Sequence, residues 1–134
     1  MTKYFYCGRA LIKNGKKILL VRSVDHWETP GGKLETNENP IQNIHREMKE
    51  ELGTKIKILN KMPYFYKGFY KKNYTLLFYF PVKLLGKPII TKDNDEVLEI
   101  KYFSKKEIMK LKRGKILMEW DAIFLPKVMK DIGL

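Results

Sequence analysis

Cysteine occurs once in the 134 residues, at Cys7, so no disulfide closes within the chain and a packed core must hold the fold. Long apolar runs are also missing. The longest strongly apolar stretch, Tyr74 to Val82, falls far short of the ~20 residues of a membrane-spanning helix, so no membrane span is expected. The opening Met1-Thr2-Lys3-Tyr4-Phe5-Tyr6 lacks the basic-then-apolar pattern of a secretory leader, and a cytoplasmic, reducing location is the expectation. Acidic residues are scarce: 15 Asp and Glu stand against 27 Lys and Arg, a net charge of +12. Such a balance attracts polyanions. The lysines are spread over Lys16-Lys17, Lys71-Lys72, Lys105-Lys106, Lys110 and Lys112, which favours a solvated lysine-rich surface over a dedicated nucleic-acid face. The same field would help capture a small phosphorylated substrate.

What is present suits one folded unit. With 44% hydrophobic and 31% charged residues, the chain reads as a single globular domain over residues 1–134, without repeats or a linker. Tyr4 to Lys13 and Lys17 to Arg22 are β-like, with Asn14-Gly15 supplying a hairpin turn. Turn chemistry dominates Ser23 to Glu38, centred on Thr29-Pro30-Gly31-Gly32. A helix over Pro40 to Leu52 is then predicted: Asn39 caps it, Pro40 suits its first position, Gln42 completes a capping box and Gly53 stops it. Ile41, Ile44, Met48 and Leu52 form its apolar stripe. Further strands are expected at Lys55 to Leu59, Tyr64 to Tyr70, Tyr74 to Leu84 and Val97 to Phe103, with Lys71-Lys72-Asn73 as a turn. Ser104-Lys105-Lys106-Glu107 opens a short helix, and Ile116 to Ile132 reads as largely helical with Pro126 dividing it.

Within the first helix, Glu47, Glu50 and Glu51 crowd three carboxylates onto one flank near the C-terminus. Like charges three and four residues apart repel, and the negative end of the helix dipole repels them again, each effect at about a few tenths to 1 kcal/mol. A bound divalent cation would explain the cluster; a solvated helical face is the other reading that the residues alone allow. Arg46, one turn before Glu50, can brace it.

From Gly32, the segment GKLETNENPIQNIHREMKEELGT keeps the spacing G-x5-E-x7-R-E-U-x-E-E-x-G-U, where U is bulky and aliphatic. This resembles the Nudix hydrolase signature. Gly32, Glu38, Arg46, Glu47, Met48, Glu50, Glu51 and Gly53 match, whereas Thr54 departs from the last aliphatic position. The resemblance implies an α/β fold of the α+β type, an α/β/α sandwich with a mixed central sheet. The signature loop and helix would lie on one side and the C-terminal helix on the other. It further implies hydrolysis of a nucleoside diphosphate linked to another group, with magnesium or manganese as cofactor. By matching positions, Glu47, Glu50 and Glu51 become metal ligands and catalytic residues, with the Gly31 carbonyl as a further ligand. The general base is Glu47 or a residue of the loop Asp93, Asp95, Glu96, Glu99, among which Glu96 is the leading candidate. Glu38 and Arg46 brace the loop.

The substrate is less well specified. Arg22 is a phosphate contact or an exposed strand end, and Trp27 stacks on a base or packs in the core. Tyr66, Phe69, Tyr70 and Tyr74 form a stacking wall or core, while His26 and His45 read as surface residues. Trp120-Asp121 is similar to segments near the base pocket of Nudix enzymes acting on oxidised purine triphosphates, where Asp121 would meet a purine edge. The working expectation is conversion of a nucleoside triphosphate, oxidised forms included, to monophosphate and pyrophosphate. ADP-ribose and dinucleoside polyphosphates are the alternatives, and a non-catalytic nucleotide- or RNA-binding regulator is another. The protein is expected to be a monomer or a homodimer.

Overall fold

The computed structural model describes residues 4–91 and 96–134. The elements run β1 (Tyr4–Asn14), β2 (Lys17–Arg22), β3 (Trp27–Glu28), β4 (Gly31–Lys33), α1 (Pro40–Leu52), β5 (Ile56–Ile58), β6 (Tyr64–Tyr70), β7 (Asn73–Leu84), β8 (Glu99–Ser104), α2 (Lys105–Arg113) and α3 (Glu119–Val128). Among the described residues, no helix is long and apolar enough to cross a membrane.

The sheet is mixed, in the order β3-β2-β1-β7-β5, with β4 added to β1, β6 to β7 and β8 to β2. β1 and β7 run parallel over the long register Tyr4↔Tyr74 to Ile12↔Val82, and the other pairings are antiparallel. β1 divides its free edge between two partners. Its first half holds β4 through Cys7↔Lys33 and Arg9↔Gly31, and its end turns through Gly15-Lys16 into β2. Gly15 has φ +62, a left-handed conformation that glycine adopts without steric penalty.

Period-two alternation sends side chains to two cores. On one face Ala10, Ile12, Leu19, Val21, Phe80 and Val82 meet Ile44, Met48 and Leu52 of α1. On the other, Cys7, Leu11, Ile18, Leu20, Leu77 and Tyr79 meet Ile108 of α2 and Phe124, Leu125 and Val128 of α3. The expected α/β/α sandwich is what forms.

Local chemistry explains α1. The Asn39 side chain accepts from the Gln42 N–H at 2.8 Å, the Gln42 side chain accepts from the Asn39 N–H at 3.0 Å, and Gly53 ends the helix at φ +65. The same reciprocal cap opens α2, between Ser104 and Glu107. The C-terminal region differs from the expectation. Residues 116–118 are not helical, because Trp27 N–H donates to the Ile116 carbonyl and Met118 N–H to the Trp27 carbonyl, tying this segment to β3. α3 therefore starts at Glu119 and contains Pro126 within it.

Candidate functional site

The segment between β2 and α1 is held as an extension of the sheet. Ala10 N–H donates to the Pro30 carbonyl at 2.9 Å, and β4 pairs with β1 immediately afterwards. Gly31 has φ +149, and a Cβ there would collide with the Gly8 carbonyl, so only glycine lets β4 lie this close to β1. A Cβ at Gly32 would meet the Glu47 carboxyl carbon at 2.6 Å. The absent side chain is what admits the Glu47 carboxylate against the loop.

Arg46 ties this loop to α1. Its Nε donates to Glu38 Oε2 at 2.7 Å and its Nη2 to Glu38 Oε1 at 3.0 Å, a bidentate pair, while Nη2 also reaches the Lys33 carbonyl at 3.0 Å. Its Nη1 lies 2.9 Å from Glu47 and 3.0 Å from Glu50. Hydrogen bonds from Arg46, from the Glu35 N–H and from Asn43 hold the Glu38 carboxyl down at about 2. The bracing role expected for this pair is visible in these contacts.

Beside the loop lies a cavity of about 850 Å³, lined by Arg9, Glu28, Glu47, Glu51, Glu96 and Trp120 among others. Glu51 is 8% exposed and its Oε2 accepts from the Gly31 N–H at 3.2 Å. Burial pushes its carboxyl up to about 8, against the opposing pull of Arg9. Burial likewise raises Glu47. Glu50 is more open and rests on Arg46. Among the described residues, no three His, Cys, Asp or Glu side chains stand close enough together to hold a metal ion by themselves. The donor set nevertheless fits a hard cation that keeps waters and shares phosphate oxygens. Two desolvated carboxylates with raised affinity for a proton border the cavity, and a cation would replace that proton.

Sequence reasoning missed the charge beneath the cavity. Arg9 is buried and donates to the Thr29 hydroxyl at 3.1 Å and to the Thr29 carbonyl, with Glu28 at 3.7 Å. Burial opposes its charge, but Glu28, Asp121 and Glu51 outweigh that and hold it protonated. A single arginine inside the apolar run Gly8 to Ile12 was the available signal, since a buried cation must find partners. His26, read as a surface residue, lines the cavity and pairs with Glu28 at 3.1 Å. That hydrogen bond raises the imidazole pKa, whereas burial lowers it.

Of the residues assigned to substrate binding, Trp120 lies in the cavity wall. Asp121 does not meet it: the side chain is fully buried, accepting from the Thr29 N–H at 2.7 Å, the Thr29 hydroxyl at 3.0 Å and the Tyr79 hydroxyl at 2.7 Å. Both oxygens are used inside the protein, so Asp121 positions the loop. Trp27 is 8% exposed and packs edge-on against Phe103 at 4.7 Å, which resolves its two readings in favour of core. Arg22 instead pairs with Glu99 at 3.1 Å, away from the cavity lining. The Tyr70 side chain, Asp93 and Asp95 lie outside the described residues. Glu96 shares the cavity with Glu47 and Glu51.

The 8-oxo-dGTP diphosphatase of Buchnera aphidicola subsp. Schizaphis graminum is 45% identical over 47 residues, 33% of this chain and 36% of that protein. Its counterpart from the Acyrthosiphon pisum subspecies is 32% identical over 76 residues, 54% of this chain and 61% of the relative. The chain thus covers less than two thirds of the curated relatives it matches. The solution structure of the E. coli ORF135 protein superposes with a TM-score of 0.80 at 23% identity, covering 98% of this chain and 93% of that one. The MutT protein from Methanosarcina mazei Go1 gives 0.81 at 19% identity, covering 99% and 98%. Both show the same fold. The match to the NUDIX domain extends over residues 8–123, most of the chain, and the protein belongs to that family.

Proposed function

We propose that the protein is a divalent-metal-dependent pyrophosphohydrolase that converts a nucleoside triphosphate, with an oxidised purine as the preferred base, to nucleoside monophosphate and pyrophosphate. The observation that carries this reading is the pair of desolvated carboxylates, Glu47 and Glu51, set against the Gly31-Gly32 loop beside a cavity large enough for a nucleotide. Family membership and the 8-oxo-dGTP diphosphatase names of the relatives support the substrate class.

Glu47, Glu50, Glu51 and the Gly31 carbonyl would hold magnesium or manganese, which supplies neutralisation of the phosphate oxygens and alignment of the attacking water. The residues of the chain do the rest. Glu47, its proton affinity raised by burial, is suited to take the proton of that water. Glu96 is the alternative base on the same cavity. Arg46 and Glu38 keep the loop and α1 in register, so the carboxylates approach the anhydride from a fixed direction. Trp120 offers a ring for stacking against the base. Arg9 offsets part of the negative charge beneath the site.

The test is a magnesium-dependent turnover screen over normal and oxidised nucleoside triphosphates, ADP-ribose, sugar nucleotides and dinucleoside polyphosphates, with products identified by mass. Monophosphate and pyrophosphate from an oxidised purine triphosphate are expected. Turnover confined to ADP-ribose or a dinucleoside polyphosphate would move the assignment to that branch, and nucleotide binding without turnover would make the protein a regulator.

A further inference from the structure

The lysines are dispersed, but the acids are not. From Leu52 to Lys92 the sequence contains nine lysines and no Asp or Glu, and strands β1, β6 and β7 contain no acid at all. These three strands lie side by side in the sheet.

α1 covers only half of their shared face. Phe80 and Val82 of β7 are buried beneath it, whereas the earlier residues on that side, Tyr74 and Phe78, are only partly covered. Register places Tyr4 beside Tyr74 and Tyr74 beside Phe69, and sets Phe65 beside Phe78. Tyr6 packs with Phe78 at 6.4 Å and Tyr4 with Tyr74 at 5.5 Å, both stacked. Tyr4, Tyr6, Phe65 and Phe69 each keep about half of their surface in solvent, at 53%, 48%, 57% and 56%. The Lys67 ammonium stands over these rings, 4.4 Å from the Tyr74 centroid and 5.7 Å from that of Tyr4. Cys7 and Arg9, which border the cavity beside the glycine loop, project from the other face of β1.

We propose that this face binds single-stranded nucleic acid. Exposed rings on a sheet stack bases without regard to sequence, and cations among them track phosphates. Tyr4 and Tyr6, two residues apart on one strand, sit about 6.7 Å apart. That is roughly twice the ~3.4 Å rise per nucleotide of a stacked strand, so adjacent bases are splayed and each meets its own ring. Charge argues against a second copy as the occupant. Two-fold pairing would press the acid-free strip against itself, with no carboxylate in these strands to offset Lys67.

The experiment is fluorescence anisotropy of labelled oligomers of about 12 nucleotides, oligo-U and oligo-dT separately, with a duplex control. Single strands are expected to bind more tightly than duplex, with affinity falling log-linearly in salt. The tighter of the two oligomers identifies RNA or DNA. Tyr6→Ala and Phe69→Ala should each weaken binding by about fivefold or more. Lys67→Glu, at an exposed position, should weaken it on a fully folded protein. Melting temperatures and nucleotide turnover serve as controls and should stay unchanged. Absence of binding at low salt, or binding indifferent to all three substitutions, would overturn the proposal. So would a wild-type dimer in sedimentation that the ring substitutions convert to monomer.

Discussion

Replacing Glu51 by Gln should make the metal-free protein more stable while disabling it. Burial raises this carboxyl from 4.5 to about 8, so the folded state holds the proton more tightly than the unfolded chain does. Its contribution to stability is therefore complete below pH 4.5 and is lost as pH rises through about 8. At pH 7.5 that loss is on the order of 4 kcal/mol, taking ~1.4 kcal/mol per unit over about three units. Gln never ionises and keeps an oxygen for the Gly31 N–H, but its amide must also be buried, so a net gain of about 2 kcal/mol is expected. For a chain of this size the gain corresponds to roughly 5–10 °C in melting temperature. Thermal melts from pH 5 to pH 9 in a chelator should show wild-type stability falling and the variant nearly flat. Added magnesium should raise the wild-type melting temperature and leave the variant unmoved. Turnover should drop by about tenfold or more, as expected when a metal-holding carboxylate is removed. A variant that melts below wild type at pH 8 would refute the claim that this acid is held at the expense of folding.

Gly32→Ala should displace the Glu47 carboxylate and reduce turnover by about tenfold or more, while the melting temperature changes little; full activity would show that the contact is dispensable. Glu38→Gln should flatten the acid limb of the stability curve, because a carboxyl held at about 2 stabilises the fold above 4.5 and loses that contribution as pH falls through 2; acid titration followed by circular dichroism reads this. Asp121→Asn should cost about 2–4 kcal/mol in denaturant unfolding, since it unpairs part of the buried group linking Thr29, Tyr79 and Arg9, and a loss under ~0.5 kcal/mol would contradict that network. Arg22→Ala should leave turnover within about twofold of wild type, given its pairing with Glu99 outside the cavity; a larger loss in steady-state kinetics would restore it to phosphate binding.

The parts of the fold that sequence made legible are those fixed by neighbours along the chain. Asn39, Gln42 and Gly53 set both ends of α1, Ser104 and Glu107 set the start of α2, and aromatic β-formers followed by the Lys71-Lys72-Asn73 turn bounded β6 at Tyr64–Tyr70. The loop-to-helix clamp of Glu38 and Arg46 was legible through its resemblance to a known spacing. What stayed hidden depends on partners far along the chain. Residues 116–118 look helical until Trp27 claims their backbone, and Asp121 looks like a ligand until Thr29 and Tyr79 are seen to use both its oxygens. Arg9 lies among apolar neighbours, and its counter-charges at Glu28, Glu51 and Asp121 come together only in three dimensions. The acid-free span from Leu52 to Lys92 is readable in the sequence, but the face it lies on is set by the pairing of β1, β6 and β7.

The bonding of β4 to the outer edge of β1 makes the glycine turn an integral rung of the sheet. Such a rung cannot swing out as a hinged flap does, because lifting it would strip the backbones of Tyr6, Gly8 and Ala10 of their partners and unseat the arginine beneath. Amide protons of Gly32 and Leu34, the ones that face β1, should consequently exchange as slowly as those of the central strands, and substrate must enter by passing over a stationary floor.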